Sequence, residues 1–123
     1  MSGLVAVMIG GALGAGGRYG VGTLLPAWTG GTFPWATLAV NLSGGLAMGL
    51  LAGMFARGSE SEIIRLFFGV GVLGGFTTFS AFSLDVVALV ERGQALPALG
   101  YIAASVIGSV ALTMLGINLV RGS

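Results

Sequence analysis

The side chains with chemistry to offer are hydroxyls, one amide and a few aromatic rings. They concentrate in Gly74-Gly75-Phe76-Thr77-Thr78-Phe79-Ser80-Ala81-Phe82-Ser83 and along Tyr101, Ser105, Ser109 and Thr113. The four-residue spacing of the second group sets it on one helix face. Asn41 and Ser43 add a further pair. Hydroxyl and amide donors suit a small anion, which accepts hydrogen bonds and has none to give. Phe79 and Phe82 fit the same cargo, because an aromatic ring is positive at its edge. Each group also has an ordinary structural use. A membrane Ser is most often interhelical glue worth about 0.6 kcal/mol per bond, and most intramembrane Phe simply pack.

What is missing narrows the field. The chain has no Cys, His or Lys, so thiolates, Schiff-base amines and the usual neutral-pH proton switch are absent, and an enzyme is not expected. A cation- or proton-coupled transporter needs an embedded carboxylate as counter-charge. Small four-helix drug exporters carry such a Glu in their first span. Here the first, second and fourth spans have no acid, and Asp85 is the one acid within an apolar stretch. A net charge of +1 offers nucleic acid no footprint.

These residues must be positioned inside a membrane. Of 123 residues, 55% are hydrophobic, 7% are charged and 24 are Gly, far from the roughly 25% charged and ~7% Gly of soluble domains. Residues 1–17, 19–56, 66–84 and 93–120 hold no charge. The second run is too long for one span of about 20 residues. The segment from Pro26 to Pro34 divides it, reading as a turn with interfacial Trp28 and Trp35. Four spans follow, about 3–25, 35–56, 63–90 and 97–120, in one four-helix domain over residues 1–123. The first is not expected to be a cleaved signal peptide, since Arg18 follows the apolar stretch instead of preceding it.

The third span is the unusual one. Ile63 to Val90 would reach roughly 42 Å as a helix, against a hydrocarbon core of ~30 Å. Gly74 and Gly75 stand in its middle, followed by four hydroxyls. This predicts a break near the membrane centre, where freed backbone groups must line a cavity or meet an ion. The alternative is a continuous tilted helix with hydroxyls bonded back to its own carbonyls.

Glycines at four-residue spacing (Gly10/Gly14, Gly16/Gly20, Gly45/Gly49/Gly53 and Gly71/Gly75), continued by Gly100, Ala104, Gly108 and Gly116 along the last span, read as helix-packing contacts. The letters from Gly69 to Gly74 match a dinucleotide fingerprint, but no strand precedes them. Arg57, Arg65 and Arg121 fall on one side of a four-span chain, Arg92 and Arg18 on the other. That near balance gives almost no orientation signal and points to a chain inserted both ways and paired with its inverted copy.

Three strings complete the pattern: Gly17-Arg18-Tyr19, Thr37-Leu38-Ala39-Val40-Asn41-Leu42-Ser43-Gly44, and Gly74 through Ser83. In order and spacing they resemble the Fluc (CrcB) fluoride channel family over essentially the whole chain. The resemblance implies an all-α membrane protein with four transmembrane helices per chain, assembled as an antiparallel homodimer with two pores. It implies passive export of fluoride across the cytoplasmic membrane of microorganisms, relieving fluoride toxicity. It implies a fluoride route along Asn41, Phe79, Ser80, Phe82, Tyr101, Ser109 and Thr113, with Arg18 as a vestibule or structural charge. It also implies a structural Na+ at the dimer centre, held by backbone carbonyls best matched to Gly74 and Thr77. Ala81 departs from the pattern, standing where many relatives carry Thr or Ser.

Overall fold

The computed structural model describes residues 2–29, 33–58 and 61–122. Helix α1 spans Gly3–Thr29 and α2 spans Trp35–Ala56. A short α3, Glu62–Ile64, runs into a π-helical stretch, Arg65–Leu73, and on into α4, Gly74–Phe76. Helix α5 covers Ser80–Glu91 and α6 covers Ala95–Arg121. Four stretches, Gly3–Leu25, Trp35–Ala56, Glu62–Glu91 and Ala95–Arg121, are long and apolar enough to cross a membrane. The described residues are helical or irregular, without strands.

Two helix pairs organise the chain. Helix α2 lies along α6, and α1 lies along the π-helical stretch and α4. Glycine makes both approaches possible. A Cβ on Gly49 would fall 2.1 Å from the Thr113 carbonyl oxygen, and one on Gly14 would fall 2.0 Å from that of Val72. Backbones this close gain dispersion contacts that a lipid-facing helix lacks. Gly16, Gly20 and Gly100 meet nothing within 4 Å, so the packing expected of them does not occur within this chain.

The buried centre is small: Leu38, Phe82, Leu89, Ala98 and Tyr101, with Phe33, Leu42, Val86 and Ile102 against it. Large apolar side chains such as Leu4, Leu84, Leu96 and Ile107 point outward instead, as expected where the solvent is hydrocarbon.

Two expectations need correction. Pro26 does not end the first helix, because α1 continues through it to Thr29. One proline in a last turn removes a single backbone donor. Of the rest of the expected turn, Phe33 and Pro34 are irregular as expected, while residues 30–32 and the side chain of Trp28 lie outside the described residues. The second correction concerns the paired glycines. Gly74 has helical dihedrals (φ −62°, ψ −38°) and Gly74–Phe76 is helix; the backbone turns extended only at Thr77 (φ −80°, ψ 156°). Gly75 serves contact rather than conformational freedom, since a Cβ there would fall 2.5 Å from the Gly11 carbonyl oxygen.

Candidate functional site

Helical structure stops at Phe76 and resumes at Ser80, and the freed backbone groups find partners elsewhere. The Leu73 carbonyl accepts both the Thr77 N–H and the Thr77 hydroxyl at 3.0 Å. An uninterrupted helix would send the Thr78 N–H back to the Gly74 carbonyl. Here it goes to Asn41 Oδ1 at 2.9 Å, while Asn41 Nδ2 donates to the Thr78 carbonyl at 3.1 Å. One α2 amide thus pairs with both backbone groups of a single residue. Arg18 Nε donates to the Gly75 carbonyl at 3.3 Å. At the start of α5 the Thr78 hydroxyl accepts the Ala81 N–H at 3.1 Å, as a capping side chain does. Gly44 allows the approach, because a Cβ there would meet Thr77 Cγ2 at 2.3 Å.

The α6 hydroxyls divide by partner. Ser109 donates to the Asn41 carbonyl at 3.4 Å. Thr113 lies 2.9 Å from the carbonyls of Gly45 and Ser109. The buried Ser105 Oγ has no hydrogen-bond partner among the described residues. One turn further, the Tyr101 hydroxyl donates to Asp85 Oδ2 at 3.1 Å.

A cavity of about 530 Å³ gathers much of this. Asn41, Phe79, Phe82, Ser109 and Thr113 are on its wall, with Ser105, Gly74 and Thr77. Its lining residues carry no charge. Ser80 and Tyr101 are not on that wall. Tyr101 sits behind Phe82, ring centroids 5.1 Å apart, and Phe82 in turn is 5.4 Å from Phe79. Ser80 is exposed, its hydroxyl 3.4 Å from that of Thr78. Arg18 lies on a second cavity of about 310 Å³, with Tyr19, Thr37, Thr78 and Ala81. The Thr78 segment therefore separates the two spaces.

The described residues hold no cluster of three or more His, Cys, Asp or Glu side chains for a metal. Oxygen for a cation would have to come from backbone. The Gly74 carbonyl, deprived of the Thr78 donor, and the extended Thr77 border the larger cavity. That donor set suits a hard ion held by unwound backbone.

Sequence reasoning missed the Tyr101–Asp85 bond, the Arg18–Gly75 bond and the isolation of Ser105. Asp85 was conspicuous as an embedded acid, but its partner lies on another helix with no shared period.

Comparison with known proteins decides the family. The pattern described as "CrcB-like protein, Camphor Resistance (CrcB)" matches residues 5–117. The chain belongs to the CrcB family. A protein of Sphingopyxis alaskensis named "Fluoride-specific ion channel FluC" is 52% identical over 122 residues, covering 98% of this chain and 97% of its own. Namesakes from Mesorhizobium japonicum (47%, 98% of each chain) and Rhodospirillum centenum (50%, 96% of this chain and 94% of its own) are similarly close. With four apolar stretches, this CrcB member is a multi-pass membrane protein.

Proposed function

We propose that this protein is a fluoride-selective channel through which fluoride leaves the cell passively across the cytoplasmic membrane, relieving fluoride toxicity. One observation carries the reading: an uncharged cavity of amide, hydroxyls and rings, in a chain about half identical along its length to relatives named fluoride-specific ion channels. Fluoride is small and a strong hydrogen-bond acceptor, so closely spaced donors can replace its water.

In this reading the route runs along Asn41, Phe79, Ser80, Phe82, Tyr101, Ser109 and Thr113. The protons of Ser109 and Thr113 already point to backbone carbonyls. A hydroxyl has one proton to give, so each must rotate off its carbonyl to meet an anion, exchanging one bond for another. Ser105 needs no such exchange. Such like-for-like exchange keeps ion binding weak enough for release, as conduction requires.

The working unit is a homodimer of inverted copies in the bilayer, with two pores and the third-span interruption near the membrane centre. The cavity's outer residues support this: Phe79 is 76% exposed, Val106 52% and Val110 57%, so a second chain has an open wall to close. At the twofold axis, carbonyls of Gly74 and Thr77 from both copies would hold a structural Na+, which supplies fixed positive charge near the anion path. Arg18 serves as a structural charge beside the vestibule.

A small multidrug-type cation exporter is the other reading the architecture suggests. The acid-free first span argues against it, and the relatives are named as fluoride channels. Efflux from liposomes containing only the purified protein tests the matter. Fluoride efflux without chloride efflux, independent of a proton gradient, is expected. Proton-coupled movement of organic cations, or no fluoride efflux, would overturn the proposal.

A further inference from the structure

We infer that Phe33, just ahead of α2, is a positioning residue for Tyr101, so that the approach to α2 sets the packing behind Phe82 on one wall of the fluoride route; this rests on the channel reading above. Tyr101 is wholly buried and heads the fully buried side chains by volume. Its hydroxyl donates to Asp85 on α5. That bond fixes the oxygen, and neighbouring rings must fix the plane. Two rings do so. Phe82 stands 5.1 Å away at an interplanar angle of 43°, and Phe33 stands 5.5 Å away, edge to face at 81°.

Phe82 sits on the cavity wall and must accommodate the passing ion. Phe33 is on the wall of neither cavity above and is held independently. The Trp35 ring is 4.5 Å from it, and the Trp35 N–H donates to the Phe33 carbonyl at 2.9 Å, closing a three-residue turn before α2. The rings therefore form an unbroken series, Trp35, Phe33, Tyr101, Phe82 and Phe79, with centroid spacings of 4.5, 5.5, 5.1 and 5.4 Å. An edge-to-face pair is directional. An aliphatic side chain at 33 fills the space without orienting the phenol, leaving the Phe82 ring and the Asp85 bond to hold it.

Fluorine NMR on protein labelled with 3-fluorotyrosine reads the phenol directly. The chain has two tyrosines, so a Tyr19→Phe background leaves Tyr101 as the one signal. Phe33→Leu is expected to shift or broaden that signal and to lower fluoride efflux by about threefold to tenfold, the population change one lost ring pair permits. Phe33→Tyr, which keeps the ring but adds a second fluorotyrosine, is expected to preserve efflux and to leave the Tyr101 signal in place beside the new one. Phe33→Met, a gentler loss of the ring, decides the matter if Phe33→Leu does not fold. A Tyr101 signal unchanged in the ringless variants overturns the inference, as does an efflux defect that Phe33→Tyr shares. If the unaltered protein passes no fluoride, the channel reading fails, and the spectra alone decide whether Phe33 positions Tyr101.

Discussion

Arg18 Nε lies 3.3 Å from the carbonyl oxygen of Gly75, a residue 57 positions further along the chain. In an unbroken helix that carbonyl would accept the Phe79 N–H, so a guanidinium from α1 occupies the place of a backbone donor. Replacing Arg18 by Met removes the donor and is expected to cost about 1–3 kcal/mol, the penalty of an unsatisfied polar group. Thermal unfolding in detergent checks this. Unchanged stability would mean that the carbonyl finds another partner.

Asn41→Asp keeps the acceptor for the Thr78 N–H, loses the donor to the Thr78 carbonyl and adds a negative charge beside the cavity. A like charge about 5 Å from the path opposes an anion by about 3 kcal/mol at an effective dielectric of about 20, or about a hundredfold in flux. Asn41→Ala, which loses both bonds without adding charge, is expected to unfold more easily yet conduct better than Asn41→Asp. Efflux and melting measured side by side separate the two effects, and the reverse order of efflux would remove Asn41 from the route.

Ser105→Ala is expected to move stability and flux in opposite directions. Deleting a buried hydroxyl without a partner relieves a desolvation cost, so the melting temperature should hold or rise. The same change removes the one α6 hydroxyl on the cavity whose proton is uncommitted, and fluoride efflux should fall. Loss of both together would make Ser105 a packing residue.

Gly49→Ala places a methyl 2.1 Å from the Thr113 carbonyl oxygen, so α2 and α6 must part. Overpacking of this kind costs about 1–3 kcal/mol. Gly16→Ala meets nothing within 4 Å and is expected to leave the stability of the single chain within about 0.5 kcal/mol. Comparing the two variants by unfolding in detergent tests whether the close contact is the cause.

On the proposed assembly, exchanging Na+ for a large organic cation is expected to weaken the dimer and lower fluoride efflux together, because an ion that binds a dimer and not its separated subunits stabilises it by mass action. Cross-linking yield and efflux across a Na+ titration measure both. Indifference of either quantity to exhaustive depletion would exclude a central Na+ while leaving the route residues untouched.

Much of this architecture is legible in the sequence because charges are so few. The uncharged runs locate the membrane-crossing stretches, and helical period alone aligns Ser105, Ser109 and Thr113. What period cannot show is the partner. Asn41 and Thr78 meet from different helices, and nothing local to either marks the other. The Gly74-Gly75 pair misled for a related reason. Glycine permits both irregular backbone and close packing, and here Gly75 lies against Gly11 while the helix ends one residue later, at Phe76, and Asn41 captures the Thr78 N–H beyond it. The hydroxyl stripe was readable as a face, but whether each proton is free or committed depends on carbonyls of α2.

The glycine contacts also govern how this chain can vary. Every single-nucleotide change of a glycine codon that alters the residue adds at least a Cβ. At Gly10, Gly14, Gly49, Gly75 and Gly116 that atom would fall within 2.0–2.6 Å of a backbone oxygen, so mutation offers these positions no tolerable first step. Gly16, Gly20, Gly22 and Gly100 meet no such obstacle within the chain. Within one residue type, the genome of such a protein therefore holds sites frozen by geometry beside sites where drift is limited only by whatever lies outside the chain.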